Sequence, residues 1–565
     1  MNTNEAVDDP EAGNADRGSD AAFGERMRYR LQDMIDNPYS FLPGYEKRYE
    51  TLSAYAQSLT PHQAYAMTML LGQDSARLYP DMPETSELQF PRVNAVDVTA
   101  QSGWYYFAGT CFGEDGVEYG VLCMLFHYSL LPPPIARKFG LTDAENQIID
   151  LQLGVAVGGG AFYQVDPVVT AGTSGHIRVS DKFQLAADNC SVESLTETLF
   201  PMRLQAHGTD LGQPQPVDIA IDFTFTSGRN YLLQGMDGAK PLVAGIGSRY
   251  YSVPGLVLDA AASSLTVDSQ RIAIKGGKFW LDHQWCLAMS PSGSPRHEVM
   301  RAAANLNPQP ELGWDFFAIN FDGDYSMTLN SIHDQESLKF IRQTGETPPP
   351  AMTAPVVGKY MDACGTPFNI SGQLKVTDWR KTQHSPNPEK YQSVGTWVPH
   401  GWEFTLQERV VPERLRKFRM EPIADEAQAF FFANGSQYVE AAVRLIDADE
   451  KMSGVAYAEA VAYVDNLPTI LRLAGLPVND ENTALFTAAP PSPEMVALSL
   501  LYFLQPGAHA ELDRLIKCGS FPPAPRPTNC GGEAAPKQVG GKTLELEELA
   551  GLLKRLFHER SFNAL

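Results

Sequence analysis

The chain has 565 residues, which is too many for one hydrophobic core and predicts two to four domains. Its 67 acidic residues outnumber its 44 basic residues, and the formal net charge is −23. A field of this sign repels phosphate backbones and anionic lipid surfaces, so neither nucleic acid nor a membrane surface is an expected partner. The longest apolar runs, such as 495–504, fall well short of the roughly 20 residues of a spanning helix, so no transmembrane segment is predicted.

Residues 1–23 have neither a basic start nor an apolar core, which predicts a disordered acidic tail rather than a signal peptide. The seven cysteines are scattered and form no C-x-x-C motif. They are therefore expected to be mostly reduced thiols of a cytoplasmic protein, not a disulfide framework or a zinc site. They are Cys111, Cys123, Cys190, Cys286, Cys364, Cys518 and Cys530.

A helical segment is predicted over 24–87, because "AYAQSLTPHQAYAMTMLLG" has apolar residues at helical spacing. From residue 88 onward the pattern indicates strands. Two aromatic runs flank the turn sequence "GEDGVE", which is typical of a β-hairpin, and "VDIAIDFTFTSG" (217–228) alternates strictly between apolar and polar residues. Turns recur about every ten residues, which favours a barrel or a sandwich.

A second change of pattern comes near residue 424. "ADEAQAFFFANGSQYVEAAVRLIDA", "AYAEAVAYVDNLPTILRLAG", "PEMVALSLLYFL" and "LELEELAGLLKRLFHE" are interpreted as amphipathic or buried helices. Residues 521–542 are rich in proline and glycine and predict a flexible linker before the last helix. This helical C-terminal region could cover a barrel, form a homodimer or dock on a partner.

Common catalytic motifs are missing from the sequence. The glycines at 158–160 lack the lysine and following helix of a phosphate loop, and a tight turn or bulge explains them better. No G-x-S-x-G motif of a serine hydrolase occurs. Histidine, cysteine and carboxylate residues do not cluster at the spacings of a metal site, so no metal is predicted.

The stretch "KGGKFWLDHQW" (275–285) places a carboxylic acid and an imidazole among aromatic residues. Successive side chains of a strand point to opposite faces, so Trp280 and Asp282 share one face and His283 and Trp285 share the other. Asp282 and His283 are therefore not expected to bind one ion together. Two interpretations of Asp282 stay open: an acid within an aromatic cavity, or a structural cap of the preceding Gly-Gly turn.

Five blocks of the sequence occur in the order and approximate spacing of one known family. They are "SGWYYFAGTCFGEDGVEYGVLCMLFHYSLL", "RYYSVPGLVLDAAASSLTV", "GGKFWLDHQW", "GWDFFAINFDGDYSMTLNSI" and "DWRKTQHSPNPEKYQSVGTWVPHGWEFTL". Over about 88–420 the chain resembles the carotenoid 1,2-hydratase (hydroxyneurosporene synthase)-like, or AttH-like, family, which includes kievitone hydratase and fungal Diels–Alderase-type cyclases. The resemblance implies a mainly β fold with two tandem lipocalin-like antiparallel β-barrels, at 88–260 and 261–423. The N-terminal helices and the α-helical region predicted at 424–565 rest on the residue pattern and lie outside the resemblance.

The resemblance also implies a set of site residues. In the hydratases of this family, a glycine-rich turn followed by aromatic-x-Asp carries the acid that protonates the alkene, which corresponds here to Gly276, Gly277, Trp280 and Asp282. The hydratases have tyrosine in place of Trp280 and an acidic-polar stretch in place of "HQW", so a carotenoid substrate does not follow from the resemblance. Asp282 and His283 are the implied catalytic residues. The implied substrate-binding residues are Trp280, Trp285, Tyr250, Tyr251, Trp104 and Trp314.

Hydration of an unactivated alkene requires a positioned acid and an environment that tolerates a carbocation. A carboxyl group in an apolar barrel keeps its proton near neutrality, because burial disfavours its charged form, and aromatic faces stabilise a cation. The expected reaction is therefore cofactor-independent hydration or dehydration of an apolar, isoprenoid or polyketide-like unsaturated small molecule. Two alternatives stay open: a cyclase or isomerase that acts by proximity, and a lipocalin-type carrier without catalytic activity.

Overall fold

The computed structural model describes residues 22–33, 45–54, 56, 59–71, 78–83, 88–235, 238–243, 246–288, 313–333, 341–393 and 395–487. Within these ranges the chain is mainly β, with helices at the N-terminal side and two short helices after the last strand. The predicted tail up to residue 21, the linker at 521–542 and the last predicted helix lie outside the described residues. Residues 22 and 23, which the prediction included in the tail, belong to the first helix.

The helices pack at one end of the β structure. They are α1 (22–33), α2 (Tyr45–Ser53), α3 (Pro61–Leu71), α4 (Pro133–Lys138), α5 (Leu467–Leu473) and α6 (Asp480–Phe486). One apolar cluster joins them, since Met67 of α3 and Leu471 of α5 belong to the same buried group. Within the described ranges, none of the helices combines the length and apolar composition that spanning a bilayer requires.

The first β unit is a large antiparallel sheet. Its strands are β1 (Ser102–Gly113), β2 (Glu118–Ser129), β3 (Gln147–Val157), β4 (Phe162–Gln164), β5 (Val168–Ala171), β6 (Arg178–Val179), β7 (Gln184–Ala187), β8 (Cys190–Ser194), β9 (Met202–Asp210), β10 (Val217–Ser227), β11 (Leu232–Leu233), β12 (Ala239–Val243), β13 (Ile246–Leu258), β14 (Ser264–Val267) and β15 (Gln270–Ala288). The main path runs β4-β3-β2-β1-β15-β13-β10-β9-β8-β7-β6. The sheet curls around one core. The Asp166 amide donates a hydrogen bond to the Thr209 carbonyl (3.0 Å). Strand pairing among the described residues nevertheless does not close the sheet into the expected barrel.

The second β unit is a closed barrel of eight strands. Its strands, with the short β22 beside them, are β16 (Trp314–Phe321), β17 (Ser326–Ile332), β18 (Met352–Met361), β19 (Pro367–Lys381), β20 (Trp397–Leu406), β21 (Lys417–Pro422), β22 (Ala429–Phe431), β23 (Gln437–Asp447) and β24 (Met452–Ala460). The path is β21-β20-β19-β18-β17-β16-β24-β23, and pairing of β21 with β23 closes it. Apolar side chains from every one of these eight strands fill the interior.

The structure corrects two expectations about where the second unit begins and ends. Strands β14 and β15 pair within the first sheet, so the division expected after residue 260 falls instead between β15 and β16. The segment from 429 to 460, expected to be helical, forms β22, β23 and β24. Alanine has high helix propensity, and the alanines of this segment mask an alternation of period two whose strands complete the barrel. Helix begins only at Leu467, and "MVALSLLYFL" (495–504) lies outside the described residues.

The two β units pack face to face through an apolar layer of their own. Phe126, Trp280, Phe316 and Tyr457 belong to this layer, which joins the outer face of the first sheet to the outside of the barrel. The approach is close where β2 passes β23, because a Cβ atom added at Gly120 would lie 2.4 Å from the Cβ atom of Ala442. Glycine at position 120 therefore allows the contact between the two units.

The close approach at Gly120 predicts a stability defect when a side chain is added there. Gly120→Ala should lower the free energy of unfolding by about 1–3 kcal/mol, because the contacting atom of Ala442 is fixed to a strand and cannot turn away. Gly276→Ala is the matched control, since a Cβ atom there meets nothing within 4 Å, and it should change stability by less than about 0.5 kcal/mol. Urea denaturation measures both, and equal stability of the two variants would contradict the packing described.

Candidate active site between the two β units

A cavity of about 220 Å³ lies between the two β units. Its walls come from β1, β2, β12, β13 and β15 of the first sheet, from β16, β17, β23 and β24 of the barrel, and from α3. Half of the lining residues are aromatic: Tyr65, Trp104, Tyr106, Phe126, Tyr128, Tyr250, Trp314, Phe316, Phe432, Tyr438 and Tyr457. The expectation was a cavity inside a barrel, and this one lies outside the barrel, against the first sheet.

Asp282 is buried in the wall of this cavity, with only 2 % of its surface exposed. Its Oδ1 atom accepts hydrogen bonds from Trp280 Nε1 (2.8 Å) and from the Ser252 hydroxyl, and its Oδ2 atom accepts one from the Tyr457 hydroxyl (2.5 Å). Trp280 lies two residues before Asp282 on β15, and Ser252 faces Asp282 on the paired strand β13. The carboxyl group is therefore held by both β units, since Tyr457 belongs to β24 of the barrel.

Burial raises the pKa of Asp282, and the hydrogen bonds from Ser252, Tyr457, Trp280 and Tyr250 oppose that rise only in part. Loss of solvent penalises the carboxylate, and no cation of the described residues is paired with it closely enough to restore the balance. The arrangement favours a carboxyl group that keeps its proton to a higher pH than an exposed aspartate. Such a group can act as an acid.

The barrel contributes a second acid to the cavity wall and a third beside it. Glu459 of β24 lines the cavity, and Glu440 of β23 lies directly opposite it in the strand pairing. Both are buried, at 8 % and 0 % exposure. Burial raises the pKa of each, and for Glu440 the adjacent Glu459 raises it further. Two neighbouring carboxylates in an apolar site do not both ionise, so the pair holds at least one proton.

Lys240 of β12 is the one lysine or arginine among the residues that line the cavity. Its ammonium group lies 5.8 Å from the ring centre of Tyr250 and 5.8 Å from that of Trp314, within the range of a cation–π contact. Burial lowers the pKa of Lys240, and the charges of Glu459 and Asp282 oppose this. Trp314 Nε1 donates a hydrogen bond to Glu459, so the second acid is held beside this cation.

The structure divides the residues predicted from sequence between two places. Asp282, Tyr250, Trp104 and Trp314 line the cavity, and Trp280 supports it through its hydrogen bond to Asp282. The remaining three lie on the opposite face of the first sheet, within its core or at the edge of that core: Tyr251, His283 and Trp285. The alternation predicted for 275–285 is therefore present, and it separates His283 from Asp282. None of these observations establishes a role in catalysis.

His283 is surrounded by the core of the first sheet. Its Nδ1 atom lies 3.0 Å from the Tyr251 hydroxyl, and its ring stacks between Tyr105 and Trp285 at centroid distances of 4.1 and 4.6 Å. Burial holds the pKa of His283 well below its usual range, so the imidazole is neutral. His283 was implied as a catalytic residue on the other face of the strand from Asp282, and it lies in the core on that face; Tyr251, which was implied to bind substrate, lies in the same core and not in the wall of the cavity.

The Gly-Gly turn expected before Asp282 is not a turn. Gly276 and Gly277 lie inside β15 and pair with Phe112 and Cys111 of β1. The structural alternative for Asp282, a cap on that turn, is therefore wrong. The buried carboxyl group of Asp282 instead accepts hydrogen bonds from side chains of three strands. The reason for its burial therefore lies in the cavity and not in a turn.

Sequence reasoning did not find Glu440, Glu459, Tyr438, Tyr457 or Lys240. The first four were assigned to helices, although their spacing contains the signal. Tyr438 and Glu440 lie two residues apart, as do Tyr457 and Glu459, and this is the period of a strand face. Helical spacing would have separated each pair around the helix axis, so only the strand assignment brings them to one surface.

A second depression, of about 770 Å³, is lined mostly by loop residues, together with Trp285. Among the described residues, no three histidine, cysteine, aspartate or glutamate side chains are placed to hold a metal ion. Five of the seven cysteines are described and all five are free thiols, while Cys518 and Cys530 lie outside the described ranges.

These observations define a class of protein: a mainly β chain that buries carboxylic acids in an aromatic cavity. Residues 81–347 match the family model described as AttH-like. The resemblance found in the sequence is thereby confirmed. Curated proteins gave no match to the chain.

Solved structures with similar folds include three of interest. A candidate AttH from Nitrosomonas europaea has 16 % sequence identity and a TM-score of 0.48, over 68 % of this chain and 100 % of the other. Kievitone hydratase from Nectria haematococca has 12 % identity and a TM-score of 0.42, over 68 % and 99 %. CghA, solved with Sch210972, has 10 % identity and a TM-score of 0.28, over 68 % and 97 %. Likeness at this level carries no information about substrate or reaction.

Asp150 of β3 is a further buried acid, and its replacement tests whether burial raises the pKa of a carboxyl group in this protein. Its Oδ1 atom accepts a hydrogen bond from Gln152 Nε2 (2.6 Å). Burial nevertheless raises the pKa of Asp150 to about 7, against the opposing effects of Gln152 and the charge of Lys390. The folded chain therefore holds a proton that the unfolded chain has released above about pH 4.

Asp150→Asn should remove part of the pH dependence of stability. In the wild type, the free energy of unfolding falls as pH rises from about 4 to 7, by as much as about 1.4 kcal/mol per pH unit for one such group, and this contribution is fully lost above the folded pKa. The cavity acids act in the same direction, so the difference between variant and wild type isolates Asp150. Urea denaturation across pH 4–8 measures it, and a difference independent of pH would contradict the assignment.

Proposed function

We propose that the chain is a cofactor-independent hydro-lyase that adds water to, or removes it from, a carbon–carbon double bond of a small apolar molecule in the cavity between the β units. The observation that carries the proposal is the carboxyl group of Asp282, buried in an aromatic cavity and held there by both units. The match of residues 81–347 to the AttH-like family model supports it, together with the resemblance of the sequence blocks to hydratases.

Asp282 supplies the proton in this proposal. Protonation of an alkene carbon leaves a carbocation on its neighbour, and water captures that cation to form the alcohol. General acid catalysis contributes about 10²- to 10⁴-fold to the rate of such a step. A buried acid with a raised pKa suits this role, because it is still protonated when the exposed carboxyl groups of the chain are ionised.

The aromatic walls have a function in the same step. A cation within about 6 Å of an aromatic face gains roughly 0.5–2 kcal/mol, more when the site excludes water. Trp104, Tyr250 and Trp314 line the cavity together with Asp282, so a carbocation formed beside the acid would have several faces near it. At about 1.4 kcal/mol for each factor of ten in rate, a few such contacts are significant.

The volume of the cavity limits the substrate class. At about 220 Å³ it is smaller than the roughly 300–1,000 Å³ of sites for drug-sized ligands. A compact branched alkene or the corresponding tertiary alcohol fits this size better than a long extended polyene does. The proposed substrates are therefore small isoprenoid or polyketide-like molecules.

The buried acids favour acid chemistry over the two alternatives. A cyclase that acts by proximity needs shape and hydrogen-bond donors, and a carrier needs only an apolar pocket. Neither requires three carboxyl groups to be buried at a cost of several kcal/mol in lost solvation. The cyclase and the carrier are kept as outcomes of the following experiment.

Asp282→Asn should lower turnover by on the order of a hundredfold or more, because the amide keeps the shape of the carboxyl group and one acceptor oxygen but carries no acidic proton. The assay follows ¹⁸O from labelled water into alcohols formed from small branched alkenes, and the loss of ¹⁸O from the matching tertiary alcohols. Asp218→Asn is the control: it makes the same chemical change at an exposed position of β10 and should have wild-type turnover.

Three results would contradict the proposal. Turnover of Asp282→Asn at the wild-type rate would show that Asp282 is not the proton donor. A larger loss in Trp280→Ala than in Asp282→Asn, with a cyclised product, would favour the cyclase. Tight binding of the alkenes by the wild type without transformation would favour the carrier.

A further inference from the structure

Glu459 lies on the same face of β24 as Tyr457, whose hydroxyl group donates a hydrogen bond to Asp282. Tyr457 donates its hydroxyl proton to Asp282 Oδ2 at 2.5 Å, and Glu459 follows two residues later on β24. Residues two apart on a strand are about 6.6 Å apart. Asp282 and Glu459 both line the cavity, so a small molecule inside it meets one acid from each β unit.

We infer that Glu459 is a second catalytic residue, the base that takes a proton from water as the water attacks the carbocation. This inference rests on the proposed function and adds a residue that the sequence comparison did not suggest. One carboxyl group that gives a proton to the alkene and a second that takes a proton from water can divide an addition of water between them, and Asp282 and Glu459 line the same cavity.

The proposed reaction balances as follows. The Asp282 O–H bond breaks and a C–H bond forms on one alkene carbon, which leaves Asp282 as carboxylate and the neighbouring carbon as a cation. The water oxygen forms the C–O bond while one of its protons moves to the carboxylate of Glu459. Return of that proton to Asp282 completes the turnover, and the sum is alkene plus water giving alcohol. Dehydration follows the same steps in reverse.

What distinguishes Glu459 from Asp282 is the cation beside it. The Trp314 indole donates to its Oε1 atom, and Lys240 lies beside the same indole with its ammonium 5.8 Å from the ring. The adjacent Glu440 has its pKa held well above the usual range, so it retains the proton of the pair. Burial raises the pKa of Glu459, and the charge of Lys240 and the hydrogen bonds from Trp314 and Glu440 oppose that rise in favour of the carboxylate.

A purely structural role is the rival explanation, in which Glu459 only satisfies the Trp314 indole. That role predicts a loss of stability and an unchanged reaction per folded molecule when Glu459 is replaced. The two explanations therefore differ in whether replacement of Glu459 reduces the capture of water per folded molecule.

The experiment separates proton transfer from water capture. Purified full-length protein is incubated with 2-methyl-2-pentene, a small branched alkene without a carbonyl group, in D₂O and separately in water enriched in ¹⁸O. Mass spectrometry then measures deuterium in the recovered alkene, which reports protonation by Asp282 and its reversal, and ¹⁸O in the alcohol, which reports capture of water. Wild type is expected to incorporate both labels.

Glu459→Gln should keep deuterium incorporation and lose ¹⁸O incorporation by on the order of a hundredfold, whereas Asp282→Asn should lose both. Glu459→Asp, which keeps a carboxylate, should restore part of the ¹⁸O incorporation and guards against a variant that fails to fold. Glu403→Gln is the matched control, because Glu403 is an exposed glutamate on β20 and its replacement should change neither label.

The experiment distinguishes failure of the proposed function from failure of the inference about Glu459. If wild type incorporates neither label, the proposed function is wrong and the role of Glu459 falls with it. If wild type incorporates both and Glu459→Gln keeps its ¹⁸O incorporation, only the inference about Glu459 is wrong. Equal loss of both labels in folded Glu459→Gln also overturns it, since a base for water capture does not control protonation of the alkene.

Discussion

The packing of two β surfaces against each other is the constraint on which the remaining features depend. Each unit buries one face of its strands in its own core, and the opposite faces of β1, β2, β15, β16, β23 and β24 meet. A face that would normally be exposed to water is thereby buried, together with any polar group on it. The acids at 282, 440 and 459 are buried for this reason, and their raised pKa values follow from that burial.

The same packing explains why the cavity carries hydrogen-bond donors as well as acids. A buried carboxyl group without partners costs several kcal/mol, and here each acid of the wall has donors from a neighbouring strand or from the other unit. Tyr457 of the barrel reaches Asp282 of the first sheet, and Trp314 bonds Glu459. Relative movement of the two units would disturb the contact between Tyr457 and Asp282, so the position of that acid is tied to the interface and not to the first unit alone.

Much of the fold could be predicted from local pattern. The hairpin of β1 and β2 and the alternating strand β10 appear where residue alternation and turn sequences indicated them. Prediction failed where two signals competed. Alanine-rich stretches at 437–460 satisfy a helical pattern and a strand pattern equally well, and pairing with β16 and β21 selected the strand. Closure of the barrel is a long-range effect that no window of local sequence contains.

The sequence by itself determined which side chains of 275–285 share a face, because alternation in a strand is a property of the backbone. Asp282 and Trp280 were thereby grouped, and His283 and Trp285 were separated from them. Only the tertiary structure decided which of the two faces belongs to a cavity. That decision depends on what packs against each face: a curled core encloses His283, while the barrel supplies Tyr457, Glu459 and Trp314 opposite Asp282. Those residues lie up to 177 positions away along the chain, and side chains so distant are brought together by packing alone.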